Sequence, residues 1–449
     1  MGKIALVTKV GPTDPGVAFP VGMYEKTANV PFMVYGDVRD ISVGEFMKSL
    51  KQLLLEPSEK IMDLLVIAAS MYAADTRIER TKFAEDSWTR IIDLYIPVDD
   101  EAFWTSQANL LSRIFRFLTG DLWTLHFRKR SDAALLLSPK GKRKLKKYGM
   151  PYQTDTVCLF SGGMDSFIGA VDLLESGIRP LLVGHAKSAD VTSFQENCGD
   201  AIAHHYKQSL PERIYAFLRI PKDNLFGSVE NSERGRSFLF LTLGMICASS
   251  LTAKSKLVVP ENGMISLNIP LTPLRIGSHS TRTTHPHYFA MMQELFDNMG
   301  SGVAIINPYQ FKTKGEMLKE CKNQKLIIKT ETMSCSHPSG RWEGKGNGHC
   351  GYCVPCIIRQ AAFKAAGKKD RFPYRHNIFD KSGLDITTQK GADILAFKYM
   401  IEKLKKKPTY LTAAIRSTGP LGDDVSQYIQ VYQRSIEEVN KLIKKVNIV

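Results

Sequence analysis

The segment Ser161-Gly162-Gly163-Met164-Asp165-Ser166 stands between the apolar run Thr156 to Phe160 and the helix-like run Phe167 to Leu174, so it reads as strand, glycine loop and helix. No other stretch constrains the fold as tightly. Two adjacent glycines let the backbone approach a ligand closely, and the first turn of a helix leaves its amides without intrahelical partners. Ser161 and Ser166 add hydroxyl donors beside the positive end of the helix dipole, which makes the loop a cradle for an anion such as pyrophosphate. The loop has no lysine and is shorter than the Walker A pattern. That argues for gripping the pyrophosphate part of ATP and against transfer of a terminal phosphoryl group. Asp165 has two readings, a cap for the helix or an acid that holds magnesium against the phosphates.

The second feature is a cluster of thiols. Half of the eight cysteines fall in one segment: Cys335, then Cys350, Cys353 and Cys356 in Cys-x-x-Cys-x-x-Cys spacing, with Arg359 following. One turn and one helix start can supply three ligands of a tetrahedral zinc shell, and Cys335 the fourth. An iron-sulfur cluster is the rival, because ferredoxins use the same triple spacing. His337 and His349 flank the cluster and read as neighbours rather than ligands. Cys158, Cys198, Cys247 and Cys321 stand singly in apolar or helical settings and read as packed thiols.

A formal net charge of +15 raises the question of nucleic acid, and where the charge lies answers part of it. Between Arg128 and Lys147 there are nine basic residues and one acid. This stretch has little apolar periodicity and no interleaved aromatics for base stacking, so it reads as a solvated linker, with an RNA or acidic-partner contact as the sharper alternative. The longest apolar stretches, Leu64 to Ala74 and Leu239 to Leu251, are shorter than the ~20 residues that cross a bilayer and read as buried helices. The opening residues read as a first strand rather than a signal peptide, which gives a cytoplasmic location as the expectation.

From Asp155 onward, apolar strands at Thr156 to Phe160, Arg179 to His185, Arg213 to Ile220, Lys256 to Val259 and Val303 to Pro308 alternate with helical periods. Right-handed crossovers then give an α/β fold with a parallel, doubly wound sheet and its site at the carboxyl ends of the strands. Ahead of the basic stretch, strands near Lys3 to Thr8, Phe32 to Tyr35, Arg90 to Val98 and Trp123 to Phe127 mix with helices at Ile61 to Ala73 and Asp99 to Phe117, which predicts an α+β domain. Its cluster Asp75, Arg77 and Arg80, with the turn Gly120-Asp121, reads as salt-linked surface residues or a docking site. Helical periods at Ala392 to Lys407 and Asp423 to Lys445 predict a helical tail. His279, His285 and His287 form a histidine-rich loop that reads as polar substrate contact rather than a second metal site. Arg282 beside them can pair with a carboxylate or phosphate.

The glycine loop is similar to the SGGxDS signature of the PP-loop ATP pyrophosphatases. Together with the cysteine segment it resembles the QueC family of 7-cyano-7-deazaguanine synthases. The resemblance runs from about Asp155 to Gly367 and includes Gly235-Arg236-Ser237, Glu261-Asn262-Gly263, Lys314-Gly315-Glu316, Thr332-Met333-Ser334-Cys335 and the run His349 to Arg359. Two features depart from it. The segment Met264 to Tyr288 is longer than the family's compact substrate loop, and the chain adds a long amino-terminal region and a helical tail. Those additions resemble the QatC family, the QueC-like components of Qat anti-phage defence systems, and the related component of type IV CBASS systems.

The resemblance implies four parts: residues 1–130 as an accessory domain, 131–152 as a basic linker, 153–370 as a PP-loop (HUP-like) catalytic domain with a four-cysteine zinc site, and 371–449 as a helical extension. It implies ATP, Mg2+ and Zn2+ as cofactors. Ser161, Gly162, Gly163, Met164, Asp165 and Ser166 would hold the nucleotide, with Asp165, Lys314 and Arg236 as catalytic residues. Glu261, Asn262, Arg282 and His285 would meet the base, and Cys335, Cys350, Cys353 and Cys356 the metal. The implied reaction adenylates a 7-deazaguanine carboxylate and lets an amine displace AMP. The amine would be that of a partner protein encoded nearby, or ammonia as in a free-nitrile synthase. A PP-loop enzyme acting on tRNA and a catalytically silent binding module are the alternatives from other classes.

Overall fold

A computed structural model of the chain describes residues 2–37, 39–130, 137–138, 152–186, 189–221, 225–227, 229–230, 232, 234–272, 282–340, 343–381 and 383–449, without the side chains of 186, 189–191 and 208. Most of the basic stretch and His279 lie outside them. The amino-terminal region contains β1 (Ile4–Val10), β2 (Lys26–Met33), β3 (Ile41–Ser42), α1 (Gly44–Gln52), α2 (Glu59–Arg77), α3 (Arg80–Phe83), β4 (Ile91–Val98), α4 (Glu101–Thr119) and β5 (Leu122–Lys129). Next come β6 (Thr156–Leu159), α5 (Met164–Glu175), β7 (Leu181–Ala186), α6 (Ala189–His205), β8 (Arg213–Phe217), α7 (Arg236–Ala248), β9 (Ser255–Val258), α8 (Gly263–Leu267), α9 (Pro286–Asn298) and β10 (Val303–Ile306). The rest is helical: α10 (Lys314–Glu320), α11 (Gln324–Lys329), α12 (Val354–Ala365), α13 (Gln389–Lys406), α14 (Tyr410–Arg416) and α15 (Val425–Ile443).

Among the described residues the strands form two five-stranded sheets, β3-β2-β1-β4-β5 and β10-β9-β6-β7-β8, and every pairing between these strands is parallel, with one antiparallel bridge from Ser42 of β3 to Arg219. Counted within its own sheet, each has the order 3-2-1-4-5, so one strand order occurs twice in the chain. The five strands of the second sheet are those the alternation predicts. The first sheet corrects the α+β expectation. Its crossovers from β1 to β2 and from β2 to β3 carry no helix, so the strand-helix alternation that signals a parallel sheet is missing from the sequence.

Helices α2 and α7 explain how the sheets are joined. Residues Ile61 through Thr76 of α2 are all buried, and α7 is buried on nearly every side. A helix that is apolar all round is stable only inside a core. The two helices pack on each other, and one hydrophobic cluster runs from Ile4 and Leu94 of the first sheet through both helices to Leu159 and Leu257 of the second. Polar links cross the same boundary. Asp75 accepts from Ser232 Oγ and the Gly235 amide, each at 2.8 Å, and pairs with Arg90 at 2.9 Å. Asp121 pairs with both Arg80 and Arg90, at 2.7 and 2.6 Å. Asp75, Arg80 and Asp121 are therefore a buried network that fastens the start of α7 to the first sheet, not a surface cluster. Arg77 joins the same boundary by donating Nη2 to the Ile220 carbonyl at 3.3 Å.

The opposite face of the second sheet is covered by α5, α10 and α12, which share a smaller core with Phe160 and Val258. The tail forms a third core with the cysteine segment, in which α15 lies against α8, α12, α13 and α14. No helix among the described residues is long and apolar enough to cross a membrane.

Candidate nucleotide site and metal centre

The order of the second sheet runs out in opposite directions from β6 and β9, and ligands of such sheets bind at the carboxyl ends of that central pair. The loops after those two strands carry the residues singled out by sequence. After β6 the chain turns at Gly162, whose φ is +77°; a Cβ there would stand 2.9 Å from the Gln195 backbone nitrogen. Only glycine takes this turn without strain. Ser166 Oγ accepts from the Ser161 amide at 3.2 Å and donates to the Gly163 carbonyl at 3.0 Å, which ties the loop closed. Helix α5 then begins at Met164 with no side-chain cap, a start that suits a bound anion.

Asp165 does not cap this helix; its carboxylate turns to the loop after β9. Asn262 Nδ2 donates to Asp165 Oδ2 at 2.7 Å and to Glu261 Oε1 at 3.1 Å, while Lys314 Nζ lies 2.8 Å from Asp165 Oδ1. Burial opposes ionisation of Asp165, but the Lys314 charge and hydrogen bonds from Glu261, Lys314 and Asn262 outweigh it and hold the carboxyl below its usual range. Burial and then the Asp165 charge push Glu261 well above the usual range. The two carboxyls, buried side by side, titrate as one pair and favour a single shared proton. Local structure fixes each partner. Asn262 caps α8 through Oδ1, Asn307 brackets the Glu261 backbone at both N–H and C=O, and a capping box at Thr313 and Glu316 sets Lys314 at the start of α10.

Arg236 lies apart from this pair. Its Nε stands 3.3 Å from His185 Nδ1 at the end of β7, and its Nη2 donates to the His185 carbonyl at 3.4 Å. Gln195 Nε2 donates to Phe160 O at 3.3 Å and lies 3.5 Å from His185 O, so it bridges the two strand ends. Sequence reading passes over Gln195, although a buried amide in α6 beside Cys198 is its signal.

Arg282 and His285 occupy a third place, against α4 and the turn after α14. His285 is fully buried as the cap of α9: Nδ1 accepts from the His287 amide at 3.1 Å, and Nε2 lies 2.8 Å from Thr418 Oγ1. Burial, followed by Arg282 and His287, depresses it to about 3, so the ring is neutral. Arg282 packs over the Phe117 ring at 4.6 Å and donates Nη1 to the Phe117 carbonyl at 3.2 Å. A polar chain connects this corner to the carboxyl pair: Thr284 Oγ1 to Ser266 Oγ at 3.2 Å, Asn307 Nδ2 to Ser266 Oγ at 3.5 Å, and Asn307 Nδ2 to Glu261 O at 2.9 Å.

The four cysteine sulfurs all lie within 4.8 Å of one another, with Cys335 to Cys353 at 3.8 Å and Cys350 to Cys356 at 3.9 Å. Thiolates ~2.3 Å from a tetrahedral zinc stand about 3.8 Å apart, whereas a disulfide requires about 2.0 Å. The cluster therefore fits a metal such as zinc. Backbone amides of His337, at 3.2 Å, and Cys350, at 3.3 Å, donate to the Cys335 sulfur, the support that a ligated thiolate needs. His349 is buried and held down to about 3, by burial first and then Arg359, and its Nε2 accepts from the Ser334 amide at 3.4 Å. Arg359 is buried between Asp370 at 2.6 Å and Thr332 Oγ1 at 2.7 Å, which anchors the stretch of chain leading to Cys335.

A family model described as queuosine biosynthesis protein QueC matches residues 283–367. The match takes in Lys314, all four clustered cysteines and Arg359, and does not reach the glycine loop. This part of the chain is QueC-like. No curated protein matches the chain.

Proposed function

We propose that the chain is an ATP-dependent carbon-nitrogen ligase that adenylates a 7-deazaguanine carboxylate and passes it to an amine. The observation that carries this reading is the convergence of the glycine loop, the Asp165-Glu261 pair and Lys314 at the centre of a parallel sheet, beside a QueC-like cysteine centre. Pyrophosphate would lie on the amides of Ser161 to Ser166, next to the start of α5. Lys314 and Arg236 would offset the charge that develops as pyrophosphate departs. Asp165 would hold magnesium there, which supplies charge neutralisation between the phosphates. Glu261 and Asn262 would meet the base, with the polar atoms they do not spend on Asp165 and on each other.

In the reaction the substrate carboxylate oxygen bonds to the α-phosphorus while the bond to pyrophosphate breaks; an amine nitrogen then bonds to the carbonyl carbon and AMP leaves. The first sheet meets the start of α7 through Asp75, and the tail meets the turn that sets Lys314 through Glu438; this added surface beside the site supports a protein amine as acceptor. A protein amino terminus has a pKa near ~8 against ~10.4 for lysine, so more of it is unprotonated at neutral pH. A role in anti-phage defence belongs to this reading. Mass analysis of products from ATP, magnesium and 7-carboxy-7-deazaguanine, with ammonia or with a protein encoded beside this one, tests it. A partner heavier by one deazaguanine acyl group supports the protein acceptor. Free amide or nitrile with an unchanged partner assigns an ordinary synthase, and no AMP in any mixture rejects the ligase.

A further inference from the structure

Where α4, the loop before α9 and the turn from α14 to α15 meet, the surface opens into a groove of about 700 Å³. Apolar Phe117, Leu421 and Val425 line it together with Arg282, His287 and Arg416, and no carboxylate lines it among the described residues. Arg282 makes no ion pair among the described residues; its hydrogen bond goes to the Phe117 carbonyl. Arg416 ends α14, is exposed, and likewise makes no ion pair among them. Arg113 of α4 stands close enough to His287 to help hold its pKa down, after burial and ahead of Arg282. Asp423 and Asp424 stand in the same turn, between Gly422 and Val425, but neither lines the groove or pairs with Arg282 or Arg416 among the described residues, so the lining itself carries positive charge around an apolar strip.

We propose that this groove docks an acidic segment of a partner protein, an inference that rests on the protein-acceptor reading above. Arginine forks take carboxylates in bidentate fashion, and Leu421 and Val425 would cover apolar side chains between the acids. Single-stranded nucleic acid fits the groove poorly. Among the described residues that line it, Phe117 alone has a large aromatic ring, which already carries the Arg282 guanidinium and touches the rings of His285 and His287, each at 5.2 Å. It offers no free platform for a base. The groove shares its loop with the site, because Thr284 bonds through Ser266 and Asn307 to the backbone of Glu261. A segment docked here is held on the same loop system as the carboxyl pair.

The test is fluorescence anisotropy on the full chain, without ATP or deazaguanine. The probes are a short labelled peptide of alternating aspartate, glutamate and leucine, a lysine-rich peptide of equal length, and labelled oligouridine. The acidic peptide is expected to bind, to weaken as salt is raised, and to lose about tenfold or more in affinity with Arg416→Glu, while Arg416→Lys retains most of it. The lysine-rich peptide is expected not to bind. Arg282→Leu should act as Arg416→Glu does, with circular dichroism to check its fold; Arg416 is exposed, so its variants keep the test valid if Arg282→Leu misfolds. Equal binding of the acidic peptide by wild type and Arg416→Glu, oligouridine binding that Arg416→Glu abolishes, or no binding of the acidic peptide overturns the proposal. Because no nucleotide is present, a failure here leaves the adenylation reading standing, and a failure to form AMP does not change this result.

Discussion

The amide of Met333 donates to the carbonyl of Gly162 at 2.8 Å, so the chain that enters the cysteine cluster is bonded directly to the glycine loop. Two residues on, Cys335 contributes its sulfur to the cluster, while Arg359 of α12 holds Thr332 from the other side. One short piece of chain thus touches both the cluster and the loop.

Purified protein should accordingly contain about one zinc per chain, bound by the four clustered cysteines. Elemental analysis checks this, and iron with matching sulfide would assign the other centre. Cys353→Ser should lower the melting temperature and the soluble yield more than it changes ATP affinity. The reason is that Cys353 and Cys356 sit in the third core with the tail, whereas the glycine loop keeps its own closing bonds through Ser161 and Ser166.

The glycine loop, the five strands of the second sheet and the four-cysteine set were all legible in sequence, because each is a local pattern: a period, a glycine pair, a spacing. What joined them was not. Asn307, Gln195 and Glu438 are single polar residues in otherwise ordinary stretches, and their roles depend on partners far along the chain, such as Glu261, Phe160 and Thr313. The clamp between sheets was half visible. Asp75, Arg80 and Asp121 stood out as charges, but Arg90 lies inside a strand-like run, and only the packing of α2 on α7 buries all four.

ATP should be cleaved to AMP and pyrophosphate, and Asp165→Ala should abolish that turnover. A residue that merely capped α5 would cost on the order of 1 kcal/mol of stability and leave turnover intact. Asp165 instead faces Lys314 and Asn262, so its loss removes the charge that Lys314 opposes inside the site. Product analysis by chromatography checks this, with ADP as the outcome that contradicts it. Asp165→Asn, which keeps the shape and the contact to Asn262, separates loss of charge from loss of fold.

Asp75→Ala should destabilise the protein by roughly 3–5 kcal/mol, because it leaves the buried Arg90 short of a carboxylate and removes the acceptor of the Gly235 amide at the start of α7. Urea unfolding with circular dichroism measures the loss. A change within about 0.5 kcal/mol, the range of ordinary surface substitutions, would contradict the clamp.

Glu438 should make stability depend on pH near neutrality. It projects from α15 to accept from Thr313 Oγ1 and, at 3.3 Å, from the Gly315 amide, at the very turn that sets Lys314. Burial is the largest influence and raises its carboxyl to about 7, despite these hydrogen bonds. A carboxyl with a higher pKa folded than unfolded binds more protons in the native state, so its contribution is fully present below about 4.5 and is lost as pH rises to about 7. Glu438→Gln keeps an acceptor for the Thr313 hydroxyl without the titration. Melting temperatures of wild type and variant between those two values should therefore diverge with rising pH, the glutamine form losing less. Parallel curves across that window would mean that Glu438 does not titrate there and that α15 meets α10 without a proton at the contact.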